Sequence, residues 1–418
     1  MSNNFYINNI LPDTINFNGK AVKSVYFNNN FVWGEEVIDE IPGALLFVSK
    51  TSFYISPGIY WDGVLESSAN NGATWNEVTS SGRIQAGLVN GKWMLCFRGT
   101  ENTRLTALEH WYYGGESNVA CIGNIETLLD YQTVLAGEHP PMGFLCFGYI
   151  FKDWVKLTKA PRLPAITLTQ SCYSNMFSGC TSLIEAPELP ATTLASGCYG
   201  SMFYGCTSLT KAPELPATTL AEYCYNYMFY GCTSLIEAPK LLPATTLASG
   251  CYSYMFSGCS SLIEAPELPA TTLADDCYSG MFEECTSLTK APELPATTLA
   301  YQCYSTMFYG CTSLTKVSKL PATTLAISCY AAMYRGCMNL FEIPELPATI
   351  LANSCYFNMF DYCPITISES RTDDCVNEFR IPSKGTIENI NDYDSFTFMV
   401  FGFSLEPNKT YYIDATII

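Results

Sequence analysis

Leu194 to Leu220 read LASGCYGSMFYGCTSLTKAPELPATTL, and the same words return along nearly half of the 418-residue chain. With the tyrosine-linked cysteine as marker, the copies start at Cys172, Cys198, Cys224, Cys251, Cys277, Cys303, Cys329 and Cys355. They are 26 residues apart except where Leu241-Leu242 adds one. A second cysteine follows each marker by eight, from Cys180 and Cys206 to Cys337 and Cys363. A fixed period of this length marks a solenoid, whose units cannot bury an apolar face alone and share one core with their neighbours.

Within a copy, Leu194, Cys198, Met202 and Cys206 recur every four residues with Ala195, Tyr199 and Phe203 beside them. That spacing predicts one apolar stripe on a short helix. Thr192 or Thr193 would cap its start, and Gly205, kept in six of eight copies, would end it in a left-handed conformation. TSLTKAPELP then reads as a short extended run that buries Leu209, Ala212 and Leu215, with Pro213 withholding an amide donor.

The pattern MFxGCTSLxxAPxLPATTLAxxCYxx, as in Met202-Phe203-Tyr204-Gly205-Cys206-Thr207-Ser208-Leu209, resembles the BspA-like leucine-rich repeats of surface, gut-bacterial and bacteriophage proteins, over about residues 120 to 363. The resemblance implies an α/β leucine-rich-repeat solenoid that binds surfaces, proteins or glycans. It implies no chemistry, because such a family is defined by its architecture.

The fold class expected is modular: an N-terminal β-ribbon over 1–40, a β-sandwich over 41–118, the solenoid with a capping turn over 119–363, and a C-terminal β cap over 364–418. In the first unit INFNGKAVKSVYFNNNFVW (residues 15–33) alternates around Asn18-Gly19 and around Asn28 to Asn30, two hairpin signals. This opening resembles, loosely, the N-terminal segments of structural proteins in phages of gut bacteria. Runs such as ALLFV, SFYI, RIQAGLV, KWMLCF and HWYY, separated by Gly, Asn and Ser, suggest an antiparallel sandwich. Ser68 to Trp75, SANNGATW, resembles the Asp-box hairpin with Asn70 in the aspartate's place. CIGNIETLLDY from Cys121 leads into a degenerate coil in which Cys146 precedes Cys172 by one period and Trp154 replaces the second cysteine, as expected of a terminal repeat. Beyond Cys363-Pro364, runs at Ser395 to Val400 and Thr410 to Ile413 suggest the β cap.

The formal charge of -18, with 21 Lys and Arg and no basic cluster, argues against a nucleic-acid partner. MSNNFYINNILPDTINFNG lacks the basic start and apolar run of a secretory signal, so no signal-directed export is expected, and apolar runs are too short to insert in a membrane. The chain has 20 cysteines, and two eight apart on a regular helix would lie about 12 Å from each other, too far to bridge. Equivalent cysteines of adjacent coils could bond, but reduced thiols filling core columns are the reading preferred. With only His110 and His139 and no close CxxC pair, neither a metal site nor a cofactor is expected. No nucleophile or phosphate motif is present, and the repeating Glu185, Glu188, Glu214, Glu237, Glu264 and Glu267 read as a solvated face, so no enzyme is expected.

Variation among copies is confined to the residues before CY, those between CY and MF, and the one after MF. There consecutive coils carry Tyr204, Tyr223, Tyr227, Tyr230 and Tyr254, and the next carries Asp275, Asp276, Glu283 and Glu284. Aromatic faces beside acids suit a glycan or a protein surface; the competing reading is ordinary surface or subunit contact. The function expected is non-enzymatic binding from a virion surface to a host-surface glycan or protein. The N-terminal region would join other virion proteins, and self-association into a homo-oligomer stays open. A bacterial cell-surface adhesin, a purely structural virion component and, least favoured, a glycoside hydrolase are the alternatives.

Overall fold

The computed structural model describes residues 39–368, apart from 59, 107–108, 341–343, 345 and 349–351, together with six flanking strands. The chain divides between Ile41 and Pro42 into two compact units. In the first, Ile15–Phe17 pairs antiparallel with Lys20–Val22 on either side of Asn18-Gly19, and Ser24–Phe27 pairs with Asn30–Gly34. These are the two hairpins that the alternation predicts.

The second unit opens with two sheets. Lys92–Thr100 is the centre of the larger, flanked by Leu45–Ser49 and Val64–Ser68, with Gly87–Val89 paired to its start and Asn76–Glu77 extending the edge. The smaller sheet sets Phe53–Ser56 between Tyr112–Gly115 and Ile84–Gln85. Phe53 and Ile55 are buried while Tyr54 and Ser56 are half-buried, the period-two pattern of a strand with one dry face. Leu45, Phe47, Phe53, Ile55, Leu65, Leu95, Phe97 and Trp111 join one core. At the SANNGATW hairpin Asn70 does the aspartate's work: its Oδ1 accepts the Thr74 N–H at 2.9 Å and the Ser68 hydroxyl at 2.8 Å.

The sheet does not end at 118. Val119–Ile122, assigned by sequence to the repeat unit, pairs antiparallel with Leu45–Ser49 and in parallel with Leu157–Lys159. Its apolar Val119 and Cys121 are fully buried, so the strand belongs to the sheet core that the first coil also joins.

The helix expected in each repeat does not form. Among the described residues the helical segments are Ile125–Leu128, a 3-10 turn, and Tyr131–Leu135, both ahead of the repeats. In the second copy Cys198, Gly200, Met202, Tyr204 and Cys206 each donate N–H to the carbonyl three residues back. The residues between them, Gly197, Tyr199, Ser201, Phe203 and Gly205, donate instead to Glu222, Cys224, Asn226, Met228 and Tyr230 of the next copy. Gly197, Ser201 and Gly205 are left-handed, at φ 60°, 53° and 67°. An α-helix would spend every N–H within itself. A left-handed residue at every fourth position turns alternate amides outward, so the backbone itself bonds each repeat to the next. The period-four apolar stripe is common to both arrangements, which is why it could not distinguish them.

The stripe faces inward as expected: Cys198, Tyr199, Met202, Phe203, Cys206 and Leu209 are at most 1% exposed, although Leu194 is only half-buried. Tyrosines stack from Tyr173 to Tyr356 at 5.7–5.8 Å between ring centroids. A second column runs from Phe151 through Phe203 to Phe360 at 5.4–5.8 Å. The described cysteines are free thiols in the core. In the second cysteine column each thiol donates to the carbonyl of an aromatic residue in the preceding copy, as Cys206 Sγ does to Phe177 at 3.1 Å. On another side the copies meet through isolated parallel bridges, Thr167 to Thr193 to Thr219 and Glu185 to Lys211 to Glu237 to Glu264. The expected Thr192 or Thr193 helix cap is absent, and Thr193 serves a bridge instead.

The degenerate coil keeps the same turn rhythm, with left-handed Leu145, Tyr149 and Asp153, and Phe147 donates to Cys172. Trp154 sits against Phe47, Tyr113 and Phe151, and its indole N–H donates to the Trp111 carbonyl. Its bulk replaces a thiol because one neighbour here is a sheet. At the far end Ile365–Ser368 and Cys375–Arg380 both pair antiparallel with Thr410–Ala415. The run at Ser395 to Val400 lies outside the described residues.

Candidate functional site

The residues that vary among copies coincide with the left-handed positions and their neighbours. One such column runs Asn175, Ser201, Tyr227, Tyr254, Gly280, Thr306, Ala332 and Asn358, and each of these has positive φ. Gly and, to a lesser degree, Asn tolerate this backbone, whereas a bulky aromatic residue adopts it at a cost of order 1 kcal/mol. Tyr223, Tyr227 and Tyr254 nevertheless adopt it, at φ 55°, 52° and 53°.

Four of the five tyrosines singled out by sequence meet. Tyr204 and Tyr230 stack at 4.8 Å with planes 6° apart, Tyr227 and Tyr254 stack at 4.9 Å and 3°, and Tyr227 meets Tyr230 at 5.7 Å with a 56° tilt. Two ring ladders on adjacent columns thus form one corner. Tyr204 is 41% exposed, and Tyr227, Tyr230 and Tyr254 are half-buried. Glycine makes room for two of the rings: a Cβ at Gly250 would stand 2.3 Å from Tyr223 Cε1, and one at Gly280 2.2 Å from Tyr254 Cε1. Tyr223 is 48% exposed and, among the described residues, stacks on no other ring.

Glu283 adjoins this corner. Burial, then the neighbouring Glu284, pushes its carboxyl up to about 6. The Tyr227 hydroxyl is raised by burial first, then by Tyr254, Tyr230 and Glu283; that of Tyr230 by burial, then Tyr204, Glu283 and Glu284. Asp275 and Asp276 form a separate pair. Asp275 accepts the Tyr301 N–H at 3.1 Å, and Asp276 is raised by burial and then by Asp275. Among the described residues no hydrogen bond or ion pair joins this pair to the stacked tyrosines.

Two features escaped the sequence reading. Glu185, Glu188, Glu214, Glu237, Glu264 and Glu267 are all exposed, as expected, but the segments that carry them leave equivalent grooves between Glu185–Pro190 and Thr210–Pro216, and between Ile263–Pro269 and Thr289–Pro295. Their signal was the APELP word itself, whose proline withholds a bridging amide. In addition, His139 Nδ1 lies 2.9 Å from the carboxylate of Glu126, which is 1% exposed and whose carboxyl is raised by burial against the opposing pull of His139. Among the described residues no three His, Cys, Asp or Glu side chains gather as a metal would require, and no helix is long and apolar enough to cross a membrane.

In comparisons with known proteins, no curated sequence matches the chain. A leucine-rich repeat protein from Bacteroides ovatus, known from a crystal structure, is similar at 17% identity over 54% of this chain and 89% of its own. The TM-score is 0.18, too low to equate the two architectures. The model of the BspA type leucine-rich repeat region matches in six copies, over residues 149–289, 200–317 and 245–363. Together these cover just over half of the chain, across the same repeats whose turns and ladders are described above. The chain belongs to the BspA-type leucine-rich repeat family.

Proposed function

We propose that this chain is a non-enzymatic binding protein, whose repeats stack as a continuous solenoid and present the tyrosine corner to a glycan or protein on a host surface. One observation carries the reading: Tyr223, Tyr227 and Tyr254 hold left-handed backbone at columns where the other complete copies place Gly or small and polar residues (Asn, Ser, Thr, Ala, Asp, Gln). Framework stability gives no reason to put large aromatic rings there, and strained positions of this kind cluster at functional sites. Half-exposed aromatic faces supply contact area to sugar rings or apolar side chains, and their hydroxyls supply hydrogen bonds. Leucine-rich repeats of this family are generally binding modules rather than enzymes, which agrees with this reading.

The setting we favour is the surface of a bacteriophage virion, in a tail, fibre or capsid, with the N-terminal hairpins joining other virion proteins and self-association open. Its support is the loose resemblance of the opening segment to phage structural proteins; the bacterial cell surface is the alternative. The binding reading is tested by adding fluorescently labelled full-length protein to bacterial cells and glycan arrays, beside the Tyr227→Asn/Tyr254→Asn double variant. Saturable binding lost in the variant is expected, and equal binding by both would sink the tyrosine surface. Mass spectrometry of purified particles and of cell envelopes separates the two settings.

A further inference from the structure

The ring stack through Tyr204 and Tyr230 stops at the next repeat, where the same column holds Ser257 and then Glu283. The register is fixed by backbone bonds: Gly231 donates to Ser257 at 2.8 Å, and Gly258 donates to Glu283 at 2.7 Å. Ser257 is 3% exposed, so it forms a floor and adds no wall of its own. On one side stands the face of Tyr230 that Tyr204 does not cover. Beside the floor, in the same turn, stands Tyr254, fixed between Tyr227 above and the bare backbone of Gly280 below. On the third side stands the Glu283 carboxylate, with Glu284 next to it. One ring face, one ring edge and one acid therefore bound a notch in a chain whose formal charge is -18.

We propose that this notch binds a quaternary ammonium group displayed on a surface glycan. The Tyr230 face that Tyr204 leaves open attracts a cation through the ring quadrupole, and the methyl groups of a quaternary ammonium pack against that face. Glu283 supplies the countercharge. A bare ammonium fits less well, because it is strongly hydrated and needs several acceptors, and the notch offers one carboxylate beside one open ring face. A neutral sugar could donate hydroxyls to the partly buried Glu283 but would bring no countercharge to it. The inference rests on the proposed function and names the chemical group that its tyrosine corner recognises.

The test is ligand-observed saturation-transfer NMR on the full-length protein with choline, with its uncharged isostere 3,3-dimethylbutan-1-ol, and with a lysine side-chain mimic. Choline should bind saturably and at least about fivefold more tightly than the alcohol, the scale of one partly desolvated cation–π contact. Glu283→Gln, which keeps the side chain's shape, should bring choline down to the level of the alcohol. Tyr230→Ser should abolish the choline signal, and serine already occupies this column at Ser178 and Ser257, so the framework accepts it. Choline binding no tighter than the alcohol, no choline binding at all, or binding unchanged in Glu283→Gln would overturn the proposal. Tighter binding of the lysine mimic would also overturn it, assigning the notch to a protein partner. If the labelled protein still binds cells or glycans when choline fails, only the ammonium assignment falls. Choline binding without any surface binding would instead remove the adhesion reading.

Discussion

Tyr227 and Tyr254 stack at 4.9 Å with their planes 3° apart, and both hold left-handed backbone, at φ 52° and 53°. The buried ladders of the same repeats are spaced at 5.4 Å or more, so the tighter contact belongs to the half-exposed pair. Stacking contributes about 0.5–1.5 kcal/mol, and left-handed backbone costs a bulky residue a similar amount. For either tyrosine taken alone the two terms nearly cancel; one stack does not offset both strained backbones, so the pair as a whole costs the fold about 1 kcal/mol or more.

That balance gives the first prediction. Tyr227→Asn relieves the backbone, since Asn358 already holds the same column, and loses the stack. Thermal or urea unfolding should shift by no more than about 1 kcal/mol, while binding to cells or glycans falls markedly. A large loss of stability with binding retained would make Tyr227 a framework residue.

A second prediction opposes repeat consensus to local packing. Trp154 stands where the complete copies have cysteine, so Trp154→Cys would restore the family pattern. The indole is 3% exposed, packs on Phe47, Tyr113 and Phe151, and donates to a buried carbonyl. Removing it leaves a large cavity and should cost about 3–5 kcal/mol, read as a lowered urea midpoint. A neutral or stabilising change would mean that the first coil packs on the sheets without this anchor.

The repeat register, the buried columns of cysteine, tyrosine, methionine and phenylalanine, and the tyrosines worth inspecting were all legible in the sequence, because each is a statement about period and residue type. The local backbone was not. A stripe at every fourth residue suits both a helix and a run of turns, and what separates them is where the amides of Tyr199 and Phe203 point, which side-chain identity does not encode. A clue was nonetheless present: Gly197 and Gly205 flank Ser201 at intervals of four, too many helix breakers for one short helix. The strand at Val119–Ile122 was assigned to the wrong unit because CIGN looked like the start of a coil, and only its pairing with Leu45–Ser49 reveals its place. Nothing in one copy could show that Tyr230, Tyr254 and Glu283 surround Ser257, since the notch is built by three successive repeats.

The thiols give the third prediction. Burial pushes Cys96, Cys224, Cys232, Cys303 and Cys363 up to about 12, against an ordinary 9.0. These groups stay neutral in the fold while the unfolded chain ionises them, so their contribution is intact below about pH 9 and is lost as pH rises from there toward 12. Each thiol withdraws about 1.4 kcal/mol per pH unit in that window, and five together approach the whole stability of an ordinary domain within one or two units. Cooperative loss of the far-ultraviolet signal is expected at about pH 10–11. At pH 8 iodoacetamide should leave the native core unlabelled and modify it only in urea. Rapid labelling of Cys206 or Cys232 in the native protein would show that the columns are not closed.

Glu283 gives the last prediction, and its sign can be worked through. The group facing it from the preceding repeats is Tyr230, with Tyr227 and Tyr254 on the adjacent column and Glu284 beside it; burial and Glu284 raise its carboxyl from 4.5 to about 6. Below that value the side chain is neutral and offers an ammonium group only a weak dipole. Above it the charge is present but held in a poorly solvated place, so the fold loses stability as pH rises from about 4.5 through 6. A bound cation favours the charged form, so binding should lower this pKa and be strongest where the unliganded group would be ionised at a cost. Choline affinity should therefore rise between pH 5 and pH 7 and then level off, and choline-induced thermal stabilisation should grow over the same interval. In Glu283→Gln both curves should be flat. A flat profile in the native protein would remove Glu283 from the notch, whereas a slope surviving in the variant would assign the titration to Glu284.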